Sequence, residues 1–147
     1  MIGGFLDRLL GTAPEAPSDE DARLALAALM VRIARADNNY ETVEKERIDA
    51  LLRTRYGLGQ DDAQALRAEA EEVEAEAPDT VRFTRAIKDS VPYGEREGVI
   101  EALWEIVLAD GVRDHEEDAL LRLVAPMLGV TDQDSAHARR RIEARQG

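Results

Sequence analysis

Six carboxylates stand out by their spacing. Asp37, Glu41 and Glu44 fall within the nonapeptide Ala36-Asp-Asn-Asn-Tyr-Glu-Thr-Val-Glu44, and Asp110, Asp114 and Glu117 occupy the same relative positions 73 residues later. Carboxylates grouped with loop carbonyls are hard oxygen donors, suited to Ca²⁺, Mg²⁺ or Mn²⁺. The chain has no cysteine, which excludes zinc-thiolate sites, and only two histidines, His115 and His137, which disfavours a multi-histidine centre within one chain. The loops do not follow the EF-hand pattern, which needs Gly at position six and Glu at position twelve. Counting from Asp37, position six is Thr42 and the glutamate comes at position eight.

Two other uses of these carboxylates compete with a cation. Asp114-His-Glu-Glu117 has the spacing of an N-cap followed by Glu at N3, and Glu41-Thr-Val-Glu44 matches it loosely, because Glu is a poor N-cap. Carboxylate pairs can also exchange protons with a substrate. No nucleophile and no ordered Ser-His-Asp set accompanies them, and His115 reads as a solvent-facing loop residue, so an enzyme is not expected.

The elements that must position the acids follow from periodicity. Stepping back four and seven residues from Asp37 gives Ile33 and Met30; from Asp110 it gives Ile106 and Leu103. Stepping forward from Glu44 gives Ile48 and Leu51; from Glu117 it gives Leu121 and Val124. These spacings share a helix face, so Asp37, Glu44, Asp110 and Glu117 continue apolar stripes and should point inward where helices meet. A carboxylate in such a place must be paired, hydrogen-bonded or neutralised. Asp37 and Asp110 also stand at helix C-termini, where the helix dipole is unfavourable to an anion.

Around these corners the pattern predicts a compact all-α bundle of about eight helices, built from two related helix-turn-helix halves. Residues 1–17 form a short amphipathic helix (Ile2, Phe5, Leu6, Leu9, Leu10) and a Pro-containing linker; residues 18–147 form the helical domain. One helix should run from Ser18 to about Ala36 or Asp37. The next runs from about Thr42 to Tyr56-Gly57, where Gly suits a left-handed C-cap. A third covers Gln60 to Ala77, with Glu69, Glu71, Glu72, Glu74 and Glu76 as a solvated face. A fourth carries Val81, Phe83, Ala86, Ile87 and Val91. Tyr93 to Ala109 and Asp114 to Leu128 repeat the corner, Leu128-Gly129-Val130 echoes Tyr56-Gly57-Leu58 at an offset of 72, and Thr131 caps a last helix through Ile142.

Composition narrows the function classes. With 31 acidic against 19 basic residues the net charge is -12, which disfavours nucleic acid, since phosphate binding rests on Lys and Arg. The basic cluster Arg139, Arg140, Arg141 and Arg145 reads as favourable charge at a helix C-terminus. No apolar run approaches the roughly 20 residues of a membrane span, and the first ten residues lack the basic start of a secretory signal. The expectation is a cytoplasmic protein with a protein partner or self-association, and with peripheral membrane contact through residues 1–10 as the only route to a bilayer.

The repeated Ala-Asp-x6-Glu-x3-(Ile/Leu), present as Ala36-Asp37 to Glu44 and Ile48 and as Ala109-Asp110 to Glu117 and Leu121, resembles the TerB family of tellurite-resistance proteins, in particular its small stand-alone bacterial members. The resemblance covers roughly Ala22 to Ala138. It implies an all-helical domain of two related halves, a link to tellurite and other chemical stress, and a metal site at Asp37, Glu44, Asp110 and Glu117, with Glu41 and Asp114 next. Similar domains precede J-domains in some membrane proteins. The usual Ala-Asp-Gly is altered in the first half, where Asn38 replaces Gly; Asn tolerates the left-handed conformation. A protein-interaction scaffold whose acids are only helix caps is the alternative.

Overall fold

A computed structural model describes residues 19–36, 40–77, 80–108 and 115–146. Among the described residues there are seven helices and no strand: α1 Asp19–Ala34, α2 Thr42–Tyr56, α3 Gln60–Glu76, α4 Val81–Ser90, α5 Tyr93–Val107, α6 His115–Met127 and α7 Asp132–Gln146. The eighth helix expected near the N-terminus falls outside the described residues. The helix before the first corner ends at Ala34, slightly earlier than its periodicity suggested, and Arg35 and Ala36 form a turn.

The two halves repeat in three dimensions. His115, which opens α6, lies 73 residues after Thr42, which opens α2; Asp132, which opens α7, lies 72 after Gln60, which opens α3. The packing is reciprocal as well: α1 rests on α5, α1 touches α6 while α2 touches α5, and α1–α3 is matched by α5–α7. The remaining helix, α4, joins the halves and packs on α1 and α6. The lost residue is absorbed at the second corner of each half. There Gly57 (φ 65°) and Gly129 (φ 78°) take the left-handed conformation. The next amide then reaches back across the helix end, Leu58 N–H to Arg53 C=O at 3.1 Å and Val130 N–H to Ala125 C=O at 3.0 Å, which satisfies carbonyls that a helix end otherwise leaves open.

α1 is the axis of the core. Periodicity marks one apolar face, yet Ala22, Leu24 to Val31, Ile33 and Ala34 are all buried. A helix that is apolar all round can only be covered all round, and α2, α3, α4, α5 and α6 do so. The stripes that lead into the acidic corners are buried as expected: Met30, Ile33, Ile48, Leu103, Ile106, Leu121 and Val124, with Leu51 packed at the margin. Trp104 is buried at the α5–α7 contact, its indole Nε1 donating to Ser135 Oγ at 3.1 Å. Thr131 caps α7 by accepting from the Asp134 amide at 3.1 Å, and α7 continues past Ile142 to Gln146.

Candidate functional site

The first acidic corner is held from behind by a tyrosine. Tyr40, just ahead of α2, donates its hydroxyl to Glu71 Oε2 on α3 at 2.6 Å. Its ring lies 5.0 Å from the Arg35 guanidinium and 5.1 Å from the Lys45 ammonium, close enough for cation–π attraction to both. Burial, with the anionic Glu71 as acceptor, pushes the Tyr40 phenol above its ordinary range, so it stays a neutral donor. The peg fixes the residue that follows. Glu41 occupies the N-cap position of α2 with extended backbone (φ -95°, ψ 169°), is exposed, and makes no side-chain cap hydrogen bond. Its carbonyl accepts from the Glu44 and Lys45 amides, each at 3.1 Å. Glu44 is the third residue of α2, half-buried, in the first turn where the helix dipole favours an anion.

Behind the corner lies a charged seam that sequence reasoning missed. Glu74 accepts from Arg32 Nε at 3.1 Å and from Arg35 Nη1 at 2.8 Å. Arg67 donates Nε to Asp49 at 2.6 Å and Nη1 to Glu71 at 3.1 Å. The hydrogen bond that Arg67 donates to Asp49 raises the guanidinium pKa further above its ordinary range. The solvated-face reading of α3 is therefore corrected: Glu69, Glu72 and Glu76 are exposed, but Glu71 and Glu74 are half-buried and engaged. Arg67 and Glu71 do carry a signal, the i,i+4 spacing of a helical ion pair.

Asp49, Glu71 and Glu74 are thus committed to Arg or Tyr; Glu41 is exposed at the N-cap of α2, and Glu44 is half-buried in its first turn. Asp37, Asp110 and Asp114 lie outside the described residues. Glu117 is the third residue of α6, the helical position of Glu44 in α2, and its side chain also lies outside them. Among the described residues no three His, Asp or Glu side chains converge as metal ligands. Glu41 and Glu44 fit a hard cation by donor type, but Ca²⁺ takes six to eight oxygens, so a centre needs donors from both turns.

The helices bring the two corners' neighbourhoods together. Arg47, three residues after Glu44 on α2, acts electrostatically on Glu105, two residues before the end of α5. Burial raises the Glu105 pKa; Arg145 and Arg47 lower it, and Glu101 raises it. α2 packs on α5, and Arg55 near the end of α2 lies beside Gly98 near the start of α5, so the start of α2 runs toward the end of α5; the reciprocal contact sets α6 on α1.

The basic cluster near the C-terminus lies on α7 and pairs with acids of α5. Arg141 binds Glu101 at 2.6 Å, Arg145 reaches Glu101 at 3.7 Å and Glu105 at 3.6 Å, and the Arg139 guanidinium sits 5.7 Å from the Trp104 ring. No described helix is long and apolar enough to cross a membrane.

Comparison with known proteins matches residues 23–140 to the family model for the tellurite resistance protein TerB. No curated protein and no solved structure matches the chain.

Proposed function

The chain belongs to the TerB family, and from that premise we propose that it is a non-enzymatic cytoplasmic domain that binds a divalent cation through its two acidic corners in the response to tellurite or related chemical stress. One observation supports the reading: α2 packs on α5 with Arg55, near its end, beside Gly98, near the start of α5, so the start of α2 runs toward the end of α5. The corner that ends in Glu44 thus neighbours the helix that leads into Asp110. Carboxylates gathered from two such corners repel one another, and a bound cation offsets that repulsion. The donor set, Asp37, Glu41, Glu44, Asp110, Asp114 and Glu117, is all oxygen and favours Ca²⁺, Mg²⁺ or Mn²⁺. Glu41, which holds an N-cap position without a cap bond, supports a donor role over a purely structural one.

Calorimetric titration of chelator-stripped protein with Ca²⁺, Mg²⁺, Mn²⁺ and Zn²⁺ tests the reading. Saturable binding of at least one oxygen-preferring ion is expected. It should be lost in the Asp37→Asn/Asp110→Asn double variant and retained in Asp49→Asn, whose carboxylate belongs to Arg67. Absence of heat and of thermal stabilisation with all four ions removes it.

A further inference from the structure

Some cations of this acidic chain are matched to carboxylates within the fold; among the described residues, those of α4 are not. Arg32, Arg35, Arg67, Arg139, Arg141 and Arg145 all meet carboxylates. Among the described residues, none pairs with Arg82, Arg85 or Lys88 on α4, although the chain has 31 acids to offer. Arg85 and Lys88 border an open groove of about 550 Å³ lined by Val81, Thr84, Arg85, Lys88, Asp89, Arg96 and Met127. Arg96 is positively charged there too, yet it is bonded to carbonyls, not carboxylates: Val91 at 3.1 Å, Lys88 at 3.0 Å and Leu128 at 3.5 Å. Asp89 is the single acid on the lining. Val81, expected to help form an apolar helix face, stands 49% exposed at the groove.

The complementary surface is on the same chain. Glu69, Glu72 and Glu76 follow one another at i, i+3 and i+7 on α3, all exposed and, among the described residues, without a basic partner. Ala65 and Ala68 share that face and are exposed. Small side chains beside the acids leave a low apolar strip on which Val81 and Met127 can rest. Val81 to Lys88 and Glu69 to Glu76 are each seven residue steps, about 10 Å of helix. Within one molecule the two stripes make no ion pair.

We propose that the α4 groove receives the Glu69/Glu72/Glu76 stripe of a second copy of this chain. The contact is heterologous, groove to stripe. It therefore leaves one groove and one stripe free at each end of a pair and can continue into longer assemblies. The net charge of -12 opposes association at long range; the local match of cations to carboxylates counteracts it at the contact and sets the register.

Sedimentation equilibrium over a concentration series to about 1 mM tests this, with two charge reversals, Arg85→Glu/Lys88→Glu and Glu69→Lys/Glu72→Lys/Glu76→Lys. All the altered residues are exposed, and unchanged circular dichroism and melting temperature verify that each variant folds. Concentration-dependent self-association of the parent is expected, with the association constant lowered more than about tenfold in either variant alone. Each variant keeps one intact surface of opposite type, but these intact surfaces, groove on one and stripe on the other, fit each other. The reversed groove of one and the reversed stripe of the other are opposite in charge as well, so an equimolar mixture should regain the association that each variant alone has lost. A parent that stays monomeric throughout overturns the proposal, as does association indifferent to both reversals, or a mixture no more associated than its components. A monomeric parent that binds a short oligoglutamate peptide through Arg85 and Lys88 also overturns it, because the occupant is then a foreign acidic segment.

Discussion

The α1–α3 and α5–α7 contacts are the same seam built twice, and they are charged in opposite directions. In the first half the inner helix supplies the arginines and the outer helix the acids: Arg32 and Arg35 on α1 meet Glu74 on α3. In the second half the inner helix α5 supplies Glu97, Glu101 and Glu105, and α7 supplies Arg141 and Arg145. Glu105 stands 73 residues after Arg32, so one position in the repeat has reversed its charge. The seams also differ in depth. Side-chain exposure is 16% and 12% for Arg32 and Glu74, against 43% and 23% for Arg141 and Glu101. A repeated fold can therefore keep its corners and stripes while placing stabilisation very unevenly. Buried charge must be fully bonded to be tolerated, whereas an exposed ion row is only a weak attachment.

Arg32 should show the largest effect. Besides Glu74 it bonds the carbonyls of Glu74 at 3.1 Å and Ala77 at 2.9 Å and reaches Thr80 Oγ1 at 3.4 Å, so one guanidinium closes the end of α3 and joins it to the start of α4. Arg32→Ala strands the Ala77 carbonyl, leaves the Glu74 carbonyl with the Ala77 amide only, and leaves the Glu74 carboxylate with Arg35 alone. The expected loss is about 3 kcal/mol in urea unfolding, with little change in salt. A loss no larger than that of the exposed pairs would mean that the two seams are energetically equal.

The glycine corners sharpen the same contrast at smaller scale. Both adopt left-handed backbone, so Ala at either costs about 1 kcal/mol or somewhat more. A Cβ at Gly57 meets nothing within 4 Å, whereas one at Gly129 comes within 3.1 Å of Arg96 Nη1 and 3.8 Å of Lys88 Cε. Gly129→Ala should therefore destabilise more than Gly57→Ala, by about another 1 kcal/mol, because Arg96 must move off the Leu128 carbonyl. Equal melting shifts for the two variants would show that Arg96 yields freely.

What was legible in the sequence was what local chemistry encodes. Gly57 and Gly129 mark left-handed helix ends, Thr131 marks a helix start, and the stripes through Ile33, Ile48, Ile106 and Leu121 mark faces; each can be read within a few residues. The seams could not be read that way, since Arg32 meets Glu74 across 42 residues and Tyr40 meets Glu71 across 31. A finer reading of α3 was nevertheless available. Arg67, Glu71 and Glu74 recur at i, i+4 and i+7 beside the buried Ala63, Ala70 and Val73, whereas Glu69, Glu72 and Glu76 follow the outer face. A run of glutamates is thus two populations, separated by position on the helix and not by residue type. The carboxylate corners were readable as a repeat, but their partners depend on how α1, α2, α5 and α6 cross, which no local pattern states.

On the exposed seam, Arg141→Ala should cost no more than about 0.5 kcal/mol at low salt and nothing measurable near 1 M salt. Its 2.6 Å bond to Glu101 is short, but 43% of the side chain is in solvent. The salt dependence separates the seams, because the Arg32 effect should persist where the Arg141 effect is screened away.

The smallest effect belongs to Glu105, and its sign is the informative part. Burial raises its folded-state pKa, against the lowering influence of Arg145 and Arg47. A carboxyl whose folded pKa lies above its unfolded value binds its proton more readily in the native state. Its contribution to stability is fully present below the unfolded pKa, about 4.3, and is lost as pH rises through the folded pKa. At pH 7 the charged Glu105 is therefore a mild liability, only partly compensated by the 3.6 Å contact with an Arg145 that is 60% exposed. Glu105→Gln should leave the protein as stable as the parent or more stable by a few tenths of a kcal/mol at pH 7, with the difference vanishing near pH 4. If Glu105→Gln instead destabilises at pH 7 by as much as Arg141→Ala does at low salt, the attraction to Arg145 and Arg47 outweighs the burial. The reversed position would then be an active part of its seam, as Arg32 is of the other.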